Sequence, residues 1–141
     1  EIFEPTLFNS ITIATSMLSG CNSLINIGTL IVPLLNSQAS MFFLCASLRE
    51  IPAINFAAHT QATTYVNFLT GCSNLTAFKA LNISNSFLIL SRIPTAGLVE
   101  IFNNLPSVTS KTITITNCLG AAGLTAANRQ IATNKGWTIT G

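Results

Sequence analysis

Three stretches of the chain repeat one pattern of apolar and polar positions: "MLSGCNSLINIGTL" (17–30), "MFFLCASLREIPAI" (41–54) and "FLTGCSNLTAFKAL" (68–81). Met or Phe stands four before each cysteine, Leu three after, Ile or Phe six after, and Leu or Ile nine after. The cysteine registers are Cys21, Cys45 and Cys72, separated by 24 and 27 residues. A fourth, degenerate copy is "IFNNLPSVTSKTITI" (101–115), with Leu105 in the cysteine slot and Val108 in the leucine slot.

Each copy ends in a short alternating piece: "LIV" (30–32), "INF" (54–56), "LNI" (81–83) and "ITI" (113–115). "ITI" (11–13) reads as the tail of an earlier copy and "WTI" (137–139) as a closing one. Alternation with β-branched residues is the period of a half-buried strand. Segments ahead of the boxes, such as "SQASMFFLC" and "TAGLVEIFNNL", are candidates for helical turns. One strand and one helical segment per copy predict an α/β repeat: a leucine-rich-repeat solenoid with one parallel β-sheet face and short helices or turns opposite. No single copy can bury its own apolar face, so neighbours must stack to make a core.

The box, written M-F/L-x-G-C-x-S-L with a strand behind it, resembles the BspA-like leucine-rich repeats over roughly residues 10–116. Proteins of that kind occur on bacterial surfaces and in phage and other virus-associated particles. The resemblance implies about four irregular repeats within 1–123. It departs from the family pattern in uneven repeat length and in the loss of Cys and Gly from the fourth box. "FLILSRIPTAG" (87–97) then reads as an insertion.

The tail 124–141 is expected to be a C-terminal cap of helix and strand. Thr125 is an N-cap candidate ahead of good helix formers, and Gly136 stands just past Lys135, where a C-terminal glycine and a cationic last turn belong. Trp137 and Ile139 are expected to point inward over the otherwise open end of the core.

Composition narrows the function. Charged residues are 7% and apolar residues 49% of the chain, and mean hydropathy is +0.58. Asp is absent, and the carboxylates are Glu1, Glu4, Glu50 and Glu100. A surface of Ser, Thr and Asn with so few charges fits a larger assembly or a longer chain better than a free small domain. The apolar runs "LIVPLL" and "MFFLCASL" fall far short of the about 20 residues that a spanning helix requires, so no membrane span is expected. The start "EIFEPTLF" lacks a basic n-region and an initiator Met, and reads as cut or processed, with sequence upstream.

Cys21, Cys45 and Cys72 share one register and are expected to form a buried column of small apolar residues. Three equivalent positions cannot all pair with one another, and a single His with no C-x2-C spacing gives no zinc site. Cys118, in "TNCLG", lies outside the register and is the thiol with the best chance of exposure. Glu50 and Glu100 fall at different registers, His59 stands alone, and neither a nucleophile elbow nor a phosphate-binding loop is found. The expectation is a protein that is not an enzyme and uses no cofactor or metal. Six scattered cations do not make a nucleic-acid footprint. The sequons "NLT" (74–76) and "NIS" (82–84) would matter only in a eukaryotic secretory setting.

What remains is surface. Outward positions of the expected strands are Thr12, Ile31, Asn55, Asn82, Thr114 and Thr138, with Thr112 and Thr116 in the flanking columns. Stacked, they make a ladder of hydroxyls and amides about 4.8 Å apart per step. The uses expected of such a face differ by class. One is a structural or recognition module on a phage or virus-like particle, as a fibre, tail or capsid-decorating domain in assembly or host attachment. Its partners would be other proteins, copies of itself, or a host receptor or glycan, and its place the virion surface or the extracellular cell surface. The alternatives are a bacterial cell-surface adhesion repeat and an ice-binding solenoid.

Overall fold

Backbone conformation explains why the boxes do not become helices. Ser16, Ser40 and Asn67 have φ of 58°, 55° and 54°, and Gly20, Leu44 and Gly71 have φ of 76°, 60° and 85°. Each box therefore carries two left-handed residues four apart, which a right-handed helix cannot contain. Its amides instead alternate between two kinds of partner. Met17, Ser19 and Cys21 donate to carbonyls three residues back in the same copy, whereas Ser16, Leu18 and Gly20 donate to Ala39, Met41 and Phe43 of the next. Ser40, Phe42 and Leu44 donate likewise to Val66, Phe68 and Thr70. The helical turn expected over "SQASMFFLC" is thus a run of turns from Ala39 onward, bonded to its neighbour copies.

The structure is a computed structural model that describes residues 2–3, 6–7, 12–28, 30–31, 39–55 and 65–141. Its strands are β1 (Ile2–Phe3), β2 (Thr6–Leu7), β3 (Asn26–Ile27), β4 (Leu30–Ile31), β5 (Glu50–Asn55), β6 (Ala77–Leu81), β7 (Phe87–Leu88), β8 (Lys111–Thr114) and β9 (Trp137–Thr140). Its helices are α1 (Thr95–Asn104) and α2 (Ala126–Thr133). It is a mixed α/β fold, and every strand pair among the described residues is parallel.

Among the described residues the strands divide into three sheets, in the orders β1-β3-β5-β6, β2-β4 and β7-β8-β9, where a single sheet face was expected. Within the four-stranded sheet, β5 is irregular. Its pairing with β6 shifts between Ile51 and Ile54, so that Pro52 and Ala53 oppose Lys79 alone. Pro52 has no N–H to give a ladder, and the extra residue bulges the strand. The same bulge changes the register: Asn26 pairs with Glu50 and Glu50 with Ala77, but Asn55 pairs with Leu81.

Residues 87–97, expected as an insertion, instead supply a rung and the start of a helix. Phe87 pairs with Ile113 and Ile113 with Ile139. Phe87 and Ile89 are buried while Leu88 and Leu90 are half-buried, so the period is two. The helical reading of "TAGLVEIFNNL" is realised as α1, which buries Leu98, Ile101 and Phe102.

The core is a file of rings set into aliphatic packing. Phe42 lies 5.4 Å from Phe68, Phe68 6.1 Å from Phe78, Phe78 6.4 Å from Phe87, and Phe87 5.8 Å from Trp137. The edge-on angles suit the ring quadrupoles. The file joins the four-stranded sheet to the three-stranded one across sequence gaps that no local contact spans.

The tail follows its expected capping. Thr125 accepts the N–H of Asn128, whose side chain in turn accepts the Thr125 N–H. Trp137 is buried and Ile139 half-buried. Lys135 Nζ donates to the carbonyls of Phe102, Asn103 and Leu105 at 3.1, 2.7 and 2.9 Å. This ammonium serves the C-terminal end of α1, not the last turn of its own helix, where it was expected.

Leu44 marks a cost inside the stack. Gly20 and Gly71 meet the left-handed requirement freely, but Leu44 holds φ 60° and is exposed. Its side chain lies over Gly71, where an added Cβ would stand 2.7 Å from Leu44 Cδ2. Leu44→Gly should therefore raise stability by about 0.5–1 kcal/mol, the left-handed strain relieved less the flexibility added to the unfolded chain. Urea unfolding of the two proteins checks this; a midpoint lowered in the variant would mean that Leu44 contributes more by packing than it costs in backbone strain.

Candidate functional site

The residues expected to share a face separate into groups. Thr12 is exposed and outside any strand, and its neighbour Ile13 is exposed too, so the alternation expected there is not realised. Asn55 belongs to β5, but its side chain lies outside the described residues, as do Ser10, Ile11, Thr29, Val32, Pro33, Phe56, Ala57 and His59. Asn82 follows β6 with φ 59°, a conformation Asn tolerates, and is half-buried. Of the carboxylates, Glu50 pairs with Lys79 at 3.8 Å and Glu100 is exposed on α1. Glu1 and Glu4 lie outside the described residues.

The threonines of β8 and β9 do come together. Thr112 pairs with Thr138 and Thr114 with Thr140, flanking Ile113 against Ile139. Ile113 is buried, so the threonines take the opposite side of the sheet. Thr140 Oγ1 donates to Thr114 Oγ1 at 2.9 Å, and Thr116 is exposed just beyond β8. Sequence matching of "ITI" to "WTI" placed Thr138 opposite Thr114, two residues out, and missed Thr140. The true register is held from outside the strands: Val108 N donates to Lys135 O at 2.8 Å, and Trp137 Nε1 to Pro106 O at 2.9 Å. Next to this face Thr112 and Thr114 share a cavity of about 430 Å³ with Tyr65, Val66, Asn67, Asn85, Ser86, Phe87 and Leu88. The resulting site is neutral, with hydroxyls and amides above an apolar floor.

All four cysteines are free thiols. Cys45 Sγ donates to Leu18 O and Cys72 Sγ to Phe42 O, both at 3.0 Å, so each thiol ties its copy to the one before. Cys21 is half-buried, which loosens the expected buried column at its first member. Cys118, flagged as the exposed one, is buried and donates from Sγ to Ile89 O at 3.3 Å. The turn after β8 folds it inward: its N–H donates to Ile115 O. Burial pushes the Cys72 thiol up to about 12 and the Cys45 thiol up to about 11. It raises Cys118 as well, against hydrogen bonds from Ser91 that pull the other way.

Only the thiolate is a nucleophile, so these three thiols are inert at neutral pH. In Ellman titration of the native chain at about pH 8 we expect at most one fast equivalent, from Cys21, and all four after denaturation. The pH dependence has a fixed sign. Below the ordinary thiol pKa of 9.0 that holds in the unfolded chain, native and unfolded thiols are both protonated and their contribution to stability is complete. Above it the unfolded state releases protons that the native state keeps, so stability falls by up to about 1.4 kcal/mol per pH unit for each thiol. That loss runs from about 9 toward 11 for Cys45 and toward 12 for Cys72. Urea melts across this range test it; stability that stays flat there would contradict the buried thiols.

Among the described residues no group of three or more His, Cys, Asp or Glu is placed to hold a metal, and no helix is long and apolar enough to cross a membrane. No protein-family model, curated protein or solved structure matches the chain.

Proposed function

We propose that the chain is a non-enzymatic structural and recognition module: an irregular leucine-rich-repeat solenoid of BspA-like kind over 1–123, closed by a cap over 124–141. It is carried on a phage or virus-like particle, where it assembles with copies of itself or with neighbouring proteins and attaches to a host surface. The observation that carries this reading is the neutral threonine face of β8 and β9, with Thr112, Thr114, Thr138 and Thr140 in register. Such a face is dehydrated without stranding a charge, which suits close contact between many copies. Val66, exposed where it lines the cavity, adds apolar contact area.

The interlocked boxes support the solenoid reading, since Ser16, Leu18 and Gly20 of the first copy donate to the second and Ser40, Phe42 and Leu44 of the second donate to the third. Ice binding draws on the same threonines, but a hydroxyl lattice of two rungs is short for it, and thermal hysteresis would separate the two. The deciding experiment is light scattering of the purified chain over a wide concentration range. A defined multiple of 14.9 kDa, reduced to a single chain by Thr138→Lys, is the expected result. A monomer at every concentration would overturn the assembly role.

A further inference from the structure

The chain has six basic side chains, and three of them are engaged. Lys79 faces Glu50, Lys135 holds three carbonyls, and Arg129 Nη2 donates to the carbonyls of Ala121 and Gly141. Lys111 lies apart on β8. Arg49 and Arg92, both exposed, make no ion pair or side-chain hydrogen bond with the described residues. Although 43 positions apart in sequence, they line one cavity of about 490 Å³ with Ile25, Ser47, Asn74 and Thr76.

The stacking of the boxes builds this cavity. Ile25, Arg49 and Thr76 each stand just before a strand, and they are tied rung to rung: Arg49 N donates to Ile25 O at 2.9 Å and Thr76 N to Arg49 O at 2.8 Å. Ser47 and Asn74 stand two residues earlier in the same copies. Asn74 Nδ2 donates to Ala46 O and Thr76 Oγ1 to Arg49 O, which fixes both side chains while their remaining lone pairs stay available. Arg92 closes the cavity from the segment between β7 and α1, outside the repeated boxes.

We propose that this cavity binds an acidic saccharide, a sugar bearing one carboxylate or sulfate group. Two guanidinium groups offer forked N–H pairs to a planar or tetrahedral oxyanion. Ser47, Asn74 and Thr76 offer acceptors and a hydroxyl donor to ring hydroxyls, and Ile25 offers an apolar contact for the C–H face of a ring. No aromatic ring among the described residues lines the cavity for a base to stack on, and two cations are too few to track a phosphate backbone, which argues against single-stranded nucleic acid. This site is separate from the threonine face and does not depend on it.

The test is a two-dimensional amide NMR titration of the ¹⁵N-labelled chain with four probes: sialyllactose, a chondroitin sulfate tetrasaccharide, lactose and a short oligothymidylate. One or both acidic sugars should shift the amides of Ser47, Arg49, Asn74, Thr76 and Arg92, less at higher salt, while lactose leaves them still. Which of the two binds more tightly tells carboxylate from sulfate. Arg92→Gln should weaken that binding at least tenfold with an unchanged melting temperature, because its side chain holds no other partner among the described residues. Arg49→Gln is the second variant and should weaken it similarly. No shift with either acidic sugar, equal shifts with lactose, tighter binding of the oligothymidylate at these residues, or full affinity in both variants would each overturn the proposal.

Discussion

Phe68→Ala is expected to destabilise the protein by about 3–5 kcal/mol, the range for deleting a buried ring that its surroundings cannot collapse to replace. Phe68 is 1% exposed and sits at a branch of the aromatic file, 5.4 Å from Phe42, 5.7 Å from Tyr65 and 6.1 Å from Phe78. It occupies the slot four before the box cysteine, and its carbonyl accepts the Phe42 N–H at 3.2 Å. The substitution therefore opens a void where one copy rests on the next. Urea unfolding by tryptophan fluorescence gives the magnitude, since Trp137 stands at the far end of the same file. A loss below about 1 kcal/mol, of the size seen for exposed sites, would mean that the ring file is not the core.

The second large effect is at Gly136, and Gly20 provides its control. Both glycines hold positive φ, +85° and +76°. An alanine at either must adopt the left-handed conformation, at about 1–2 kcal/mol. At Gly20 an added Cβ meets nothing within 4 Å. At Gly136 it would collide with the Val108 carbonyl oxygen, a backbone atom that cannot rotate aside. The adjoining hydrogen bond from Val108 N to Lys135 O holds the two segments at that separation. Gly136→Ala should thus cost about 3 kcal/mol, backbone strain plus about 1–3 kcal/mol of overpacking, and Gly20→Ala only the first part. Side-by-side thermal melts read the difference. Equal losses would mean that the turn before β9 does not press on the segment before β8, and the register of the threonine face would lose its support.

How much of this could be read beforehand depends on whether a residue belongs to the repeated box. The slots of Cys45, Leu48 and Ile51 recur at Cys72, Leu75 and Phe78, all six are buried, and the strand register reproduces the 24- and 27-residue spacing of the cysteines. β7 escaped because nothing resembling the box precedes it; "FLIL" is apolar at all four positions, and so short a run does not tell strand from helix. The helical reading held for "TAGLVEIFNNL" but failed for "SQASMFFLC" on backbone angles: a serine or a leucine at φ near +55° announces itself less clearly than Gly20 does.

The candidate site was partly legible for the same reason. "KTITIT" shows its outward threonines in the sequence, but which threonine of the tail lies opposite each one is set by Trp137, Lys135 and Val108, contacts between segments far apart in the chain. Arg92 could not be linked to Arg49 from sequence, since the first belongs to a loop and the second to a box. The thiols show the opposite case. Their burial follows from the register, but their donation to Leu18 and Phe42 carbonyls of the preceding copy appears only once the copies are stacked.

Amide hydrogen exchange tests the stacking most directly. Ser16, Leu18, Gly20, Ser40, Phe42 and Leu44 lie in turns, outside any helix or strand, yet all six N–H groups donate to the next copy. In a loop such amides would exchange nearly at the rate of an unfolded chain; locked between copies they should be protected to the level of the β8 and β9 amides. Exchange of all six at unfolded-chain rates, with β8 and β9 still protected, would show that the boxes do not stack, and the solenoid reading would fall with them.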